Sequence, residues 1–357
     1  MTVISIGLIG CGSIAVKHIE SIARFPEAKL AALCDVNTAQ MKELADLWFL
    51  KRGENESIIT YSDYEELLAD PSIAIVIIAT ISGTHAAIAK AALQANKHIV
   101  LEKPAALSLQ EVDELIQLAA QRKRIVQVCH QLRYRPLFKK IKELIATGAL
   151  GKIVAASVKL RIFRPAHYFQ LAPWRGTWEH DGGMLLNQGI HAIDLLQWNI
   201  GMPSQIYGGL YSHNLTTKET EDVAIGLMMF PNGTQAIIEA NSVTPPENLE
   251  QSLFLLGDKG TICISGPKME RIDRWYIEGY PHAEEEALLL LQDKDEHVSM
   301  YRVMIDACQG KHSGDLVTLE ESRRSLELIF ALYSSATKSE IQQLPLDEFS
   351  TLQMKLK

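Results

Sequence analysis

Gly10, Gly12 and Ala15 stand at the spacing G-x-G-x-x-A, and an acid, Asp35, follows 20 positions after the last of them. An apolar run over residues 3–9 leads into the glycines, and a second, over 30–34, stops at the acid. Strand, glycine turn, helix, strand, acid is the order that binds a dinucleotide. Gly10 would turn the chain out of the strand, Gly12 would let a pyrophosphate approach the backbone, and Ala15 would permit close helix–strand packing. The N–H groups at the helix start, around Ser13 and Ile14, would face the phosphates, with the helix dipole adding to the attraction. Asp35 would hold both ribose hydroxyls. A 2′-phosphate would meet its charge, and residues 36–40 offer no Arg or Lys, so NAD is expected over NADP. The competing reading is an ordinary βαβ unit whose glycine turn holds no ligand.

Three further clusters carry chemistry. Glu102-Lys103-Pro104 follows an apolar run at 98–101. At the carboxyl end of a parallel strand the Lys103 ammonium would sit beside a nicotinamide and either stabilise negative charge on a reacting oxygen or, if desolvation lowers its pKa, pass a proton. A surface lysine at a sheet edge is equally consistent. Asn187 and His191 are four apart in a helical apolar pattern, so they share one face. Imidazole suits the removal of a hydroxyl proton near neutral pH, although a lone helical His is often structural. His180, Asp181 and His191 match no metal-ligand spacing, so no metal is expected. Arg161, Arg164, His167, Tyr168, Trp174, Arg175 and Trp178 combine guanidinium forks with flat rings. They suit either a lid over a polar anionic ligand or a subunit contact.

The elements that must position these residues follow from pattern. Short apolar runs alternate with helical segments up to residue 128, which predicts a doubly wound parallel sheet. Ser108 and Glu111 form a capping box at one helix start. From residue 129 the pattern changes to long alternating runs, with Pro231-Asn232-Gly233 as a hairpin turn. The expected organisation is α/β: a nucleotide-binding domain over 1–128, and an α+β domain with a large, mostly antiparallel sheet over 129–357. A chain of 357 residues exceeds what one core usually serves. The net charge is −8 and the longest basic run is Arg122-Lys123-Arg124, which argues against nucleic acid. No apolar run reaches the ~18 residues of a membrane span. Five dispersed cysteines without a C-x-x-C pair fit a reducing compartment, so a cytoplasmic location is expected.

Together, Gly10-x-Gly12-x-x-Ala15, Glu102-Lys103-Pro104, Arg133-Tyr134-x-Pro136, the Gly-rich helix ending in His191-x-x-Asp194, and Gly257-x-x-Gly260-Thr261 resemble the glucose–fructose oxidoreductase/inositol dehydrogenase (Gfo/Idh/MocA) family. The resemblance spans essentially the whole chain. It implies an N-terminal NAD(P) Rossmann domain and a C-terminal domain whose open sheet makes a homodimer or homotetramer. It also implies oxidation or reduction of one hydroxyl on a sugar, cyclitol or nucleotide sugar. The family's catalytic residues map onto Lys103, Asn187 and His191, and its nucleotide contacts onto Thr80, His85 and Glu102 besides the glycine turn. Asn187 departs from the family's usual Asp. An amide takes no proton, so the base role would rest with His191. Trp174-Arg175-Gly176-Thr177-Trp178 followed by Gly182-Gly183 and Asn187-Gln188-Gly189-Ile190-His191 is similar to dehydrogenases of UDP-N-acetylglucosamine-derived uronic acids. Arg161, Tyr168, Trp174, Arg175 and Asn187 would then contact the substrate. Relatives that cleave glycosides through transient NAD reduction, inositol or simple-sugar dehydrogenases, and a regulator without turnover are the alternatives.

Overall fold

The computed structural model describes residues 3–53, 57–213, 218–311 and 314–356. The chain divides into two compact units, one running through Gln131 with Asp295–Ser322 added, the other comprising Leu132–Lys294 and the chain from Arg323 on.

The first unit is built from β1 (Ile4–Ile9), α1 (Ala15–Ile22), β2 (Ala28–Cys34), α2 (Thr38–Arg52), β3 (Ile59–Tyr61), α3 (Tyr64–Ala69), β4 (Ile75–Ile78), α4 (His85–Gln94), β5 (His98–Leu101), α5 (Leu109–Arg122) and β6 (Val126–Val128). Among the described residues its sheet has the order β3-β2-β1-β4-β5-β6 with every pairing parallel. The chain leaves β1 toward β2 on one side and later returns to β4 on the other. The carboxyl ends of β1 and β4 therefore flank the switch point where such sheets bind ligands. All four residues of β4 are buried. A strand covered on both faces reads as an unbroken apolar run, not an alternating one. Ser108 caps α5 by accepting the Glu111 N–H at 3.2 Å, and the Glu111 carboxylate reaches back to the Leu107 N–H at 3.3 Å.

The second unit contains α6 (Pro136–Ala146), β7 (Ile153–Arg161), α7 (Ala166–Gln170), α8 (Ile190–Ile200), β8 (Gln205–Tyr211), β9 (Val223–Met229), β10 (Gln235–Asn241), β11 (Glu250–Gly257), β12 (Gly260–Ser265), β13 (Arg271–Ile277) and α9 (Ala283–Leu290). Its described strands, with the short β14 (Gln342–Gln343), form one sheet in the order β13-β12-β11-β7-β10-β9-β8-β14. Only β7 and β10 pair in parallel. One face is buried through Val158, Leu160, Ala224, Met228, Ile238 and Ala240. Tyr207, Ile225, Leu227 and Ile237, one residue out of phase, stay exposed.

One expectation is corrected. The sequence division assigns 295–322 to the second domain, but the chain returns there to the first unit. It does so through α10 (Glu296–Cys308), whose buried Met300, Tyr301, Met304 and Ile305 make an apolar stripe that packs on α1. Contact between segments nearly 300 residues apart leaves no mark on local periodicity.

Candidate active site

In the first unit the glycine turn has the geometry a dinucleotide needs. Gly10 has φ +92°, and a Cβ there would lie 2.6 Å from the Ala79 carbonyl. The turn is thus pressed against the end of β4, where only glycine fits. A Cβ on Gly12 would meet nothing within 4 Å, so its backbone faces open space. Ser13 is exposed and Ile14 half-buried at the approach to α1, while Ala15 is fully buried. Asp35 ties the end of β2 to this turn: Oδ2 accepts the Cys11 N–H at 2.6 Å and Oδ1 the Asn37 N–H at 2.8 Å. Each oxygen keeps lone-pair capacity for a ribose hydroxyl. These residues fit NAD. The neighbouring Cys11 and Cys34 thiols are pushed up to about 12 and about 11, chiefly by burial, so they pack as small apolar groups.

The loops after β4 and β5 are braced together. His85 is buried, with Nδ1 2.7 Å from the Pro104 carbonyl and Nε2 3.1 Å from the Thr80 carbonyl. Burial holds its pKa below the ordinary value. Both ring nitrogens of His85 face backbone carbonyls. Thr80 shares a 2.8 Å hydrogen bond with Thr84 through their hydroxyls. Glu102 is buried and accepts the Lys103 N–H at 3.2 Å. Of residues 99–107, Lys103 is the one that is not buried.

In the second unit, residues 181–197 are buried except for Asn187, Gln188 and His191. A π-turn, Leu185–Gly189, precedes α8 and widens the helix there. Two devices hold it. The Glu221 carboxylate accepts the Leu185 N–H at 2.9 Å and the Tyr333 hydroxyl at 2.7 Å. Gly183, at φ +104°, leaves no room for a Cβ beside Tyr333, Glu221 and Trp178. Burial pushes Glu221 up to about 7.

A polar chain runs outward from the π-turn. Asp181 accepts the Gly176 N–H at 2.7 Å and a hydrogen bond from the Asn187 amide. The Asn187 oxygen accepts from Gln188 at 3.0 Å, and Gln188 in turn accepts from Arg164 at 2.6 Å. The Tyr168 ring carries Arg175 at 4.2 Å and Arg164 at 5.4 Å from its centroid, and Arg175 also sits 5.6 Å from the Trp174 ring. Beside this chain lies a cavity of about 460 Å³ lined by Phe163, Arg164, Phe169, His213 and Lys218 among others.

The structure therefore brings together Tyr168, Trp174, Arg175 and Asn187. It does not bring in Arg161, whose guanidinium is held on the sheet by Glu239 at 2.6 and 2.9 Å and by Glu250 at 3.2 Å. Its place at the last residue of β7 makes it part of the pleat, and Arg164, three residues on, reaches the polar chain instead. Beside them lie Asp181, which the sequence reading weighed only as a metal ligand, and His213 and Lys218, which it did not single out. Asp181 was legible as the acid before Gly182-Gly183, whereas Lys218 and His213 arrive on a connection with no motif of its own.

Residues 4–130 match the family model of NAD-binding Rossmann-fold oxidoreductases, Gfo/Idh/MocA, and residues 138–263 match the Gfo/Idh/MocA C-terminal domain. The chain is 30% identical to the WlbA dehydrogenase of Bordetella pertussis, solved with NADH and UDP-GlcNAcA; the likeness covers 97% of this chain and 99% of that one, with a TM-score of 0.87. It is 30% identical to an uncharacterized oxidoreductase, YrbE, of Bacillus subtilis over 75% of each chain. It is also 27% identical to myo-inositol 2-dehydrogenase of Thermotoga maritima over 72% of this chain and 74% of that one.

Proposed function

Because the chain belongs to the Gfo/Idh/MocA family of NAD-binding oxidoreductases, we propose that it oxidises a secondary hydroxyl of a nucleotide sugar, a UDP-N-acetylglucosamine-derived uronate. The observation that carries this reading is the Asn187–Gln188–His191 edge of an otherwise buried helix, joined through Gln188 to Arg164 and the Arg175-stacked Tyr168. Two guanidiniums beside flat rings suit a substrate that is both a sugar and a polyanion. The likeness to a dehydrogenase solved with NADH and UDP-GlcNAcA points the same way.

Gly10, Gly12, Ser13, Ile14 and Asp35 would hold NAD, and Thr80, Glu102 and Lys103 would border it. When bound, NAD supplies the hydride acceptor. The reacting alcohol then loses two things: its C–H hydrogen as hydride and its O–H proton. His191 takes the proton. The Lys103 ammonium stabilises the charge growing on oxygen. Asn187, anchored by Asp181, orients the hydroxyl. Arg164 and Arg175 bind phosphate or carboxylate, and Tyr168 and Trp174 cover the sugar.

The exposed Tyr207, Ile225, Leu227 and Ile237 form an apolar patch of the kind that marks a protein contact. We assign it to a second copy of this chain in a dimer or tetramer, which light scattering tests. All five thiols are free, as a reducing compartment would keep them, which supports our proposal of a cytoplasmic location. Among the described residues no helix is long and apolar enough to cross a membrane.

The deciding experiment is an NAD-reduction screen over UDP-sugar uronates, other UDP-sugars, inositols and free sugars. NADH formation with a UDP-uronate is expected. Reduction only with inositols would move the substrate class, glycoside cleavage without net NADH would indicate transient oxidation, and NADH binding without turnover on the whole panel would leave a regulator.

A further inference from the structure

Next to Lys103 the first unit holds a buried row of side chains, of which only Glu102 has a place in the proposed reaction. His18 on α1, Glu102 after β5, Cys129 after β6 and Tyr301 on α10 are each 6% exposed or less. The Tyr301 hydroxyl lies 2.7 Å from His18 Nδ1. His18 Nε2 lies 3.2 Å from Glu102 Oε1, off the line of a full hydrogen bond, so this contact is one of charge with dipole. Glu102 Oε2 accepts the Lys103 N–H at 3.2 Å.

The row has a direction. His18 Nε2 faces a carboxylate, which can only accept, so Nδ1 is the ring nitrogen left to accept the proton of the Tyr301 hydroxyl. The remaining imidazole proton then sits on Nε2, facing the carboxylate. The His297 and Tyr301 rings meet His18 edge-on, with centroids 6.4 and 5.9 Å away, which fixes the imidazole plane. Ligand atoms of Cys129, His18 and Glu102 lie within 4.8 Å of one another, a spacing that also suits a soft cation. Burial, reinforced by Glu102, keeps the Cys129 thiol protonated. Without a metal it is therefore an S–H donor beside the carboxylate.

We propose that His18 and Tyr301 are positioning residues for Lys103, acting through the Glu102 carboxylate. Glu102 is adjacent to Lys103 in the chain and bonded to its backbone, so a carboxylate held from behind fixes the point from which the ammonium projects. First-helix and returning-helix residues thereby become part of the catalytic apparatus without touching substrate. The inference builds on the role given to Lys103 above, and its test is kept independent of turnover.

The test is competitive acetic-anhydride labelling of the full chain, with the rate at each lysine read by peptide mass spectrometry. Tyr301→Phe keeps the ring and removes only the hydroxyl. His18→Leu removes both contacts, and His18→Gln keeps an N–H toward Glu102. Tyr301→Phe and His18→Leu should speed labelling of Lys103 about three- to tenfold, the range one buried hydrogen bond allows. His18→Gln should restore the native rate, and Lys90 and Lys355 should not change. An unchanged Lys103 rate in Tyr301→Phe and His18→Leu overturns the proposal, as does an increase shared by the control lysines. Stoichiometric zinc in the purified protein, lost in Cys129→Ser, would also overturn it by making these side chains ligands. A Lys103→Met enzyme with native turnover would instead remove the catalytic reading of Lys103 and leave the labelling result standing.

Discussion

Arg133 and Asp194 form a buried two-pronged ion pair, with Nε 2.8 Å from Oδ2 and Nη2 2.7 Å from Oδ1. Ser325 and Gln197 also donate to Oδ1, at 2.6 and 3.4 Å, and the Trp198 ring lies 5.4 Å from the guanidinium carbon. Arg133-Tyr134-x-Pro136 and His191-x-x-Asp194, two separate motifs in the sequence, are thus two ends of one interaction. It fixes the roll of α8 and so the direction in which His191 projects. Asp194→Asn leaves a buried guanidinium without a countercharge and should cost about 3–5 kcal/mol. The double variant Arg133→Met/Asp194→Leu should lose less than Asp194→Asn alone. Urea denaturation decides this, and a loss below about 1 kcal/mol for Asp194→Asn would show that the pair is dispensable.

His191→Ala should lower kcat by about 10²- to 10⁴-fold, the usual worth of a general base. The affinity for NADH should remain within about twofold, since the base acts on the alcohol and not on nucleotide binding. Fluorescence titration with NADH and turnover on the substrate found by screening separate the two. Equal loss of both would turn His191 into a cofactor contact.

The glycine turn, its acid and the parallel sheet were legible because each obeys a local rule: a tight turn, a buried apolar run, a fixed chain distance. The capping box at Ser108 was legible for the same reason. What escaped depends on contacts remote in sequence. Nothing near Tyr301 announces its bond to His18, and nothing near Arg161 announces that Glu239 and Glu250 hold it on the sheet. The π-turn escaped because Leu185, Leu186 and Ile190 satisfy ordinary helical spacing, while Glu221, which accepts the Leu185 N–H there, lies 36 residues away.

Asn187 is an amide for a reason the structure supplies: it donates to Asp181. Asn187→Asp places two carboxylates in contact, and one must take up a proton near neutral pH. The variant should therefore be destabilised more at pH 8 than at pH 5. Asp181→Asn/Asn187→Asp, which restores one donor and one acceptor, should recover most of the loss. Thermal melts at the two pH values test this, and equal stability of Asn187→Asp at both would show that the carboxylates avoid each other.

Asp35 is expected to set cofactor choice. Asp35→Ser removes the charge that would repel a 2′-phosphate and a charge-assisted acceptor for the ribose hydroxyls. NADH affinity should fall about 10- to 100-fold, as expected for hydrogen bonds to a charged group, and the preference over NADPH should narrow. Unchanged discrimination in parallel fluorescence titrations would place the choice elsewhere.

Glu221 makes the second unit's stability pH-dependent. Its folded pKa, raised mainly by burial to about 7, exceeds the ordinary 4.5. The folded state therefore holds a proton that the unfolded chain has released between these values. A raised carboxyl contributes stability that is fully present below pH ~4.5 and is lost as pH rises through ~7, a change of roughly 3 kcal/mol. Glu221→Gln carries no titrating proton. It keeps an acceptor for Leu185 and Tyr333, at the cost of a buried amide donor. Its stability should be offset from the native protein but flat across pH 5 to 8, where the native protein declines. Denaturation midpoints measured across that range test the claim, and parallel curves for the two proteins would assign the decline to another group.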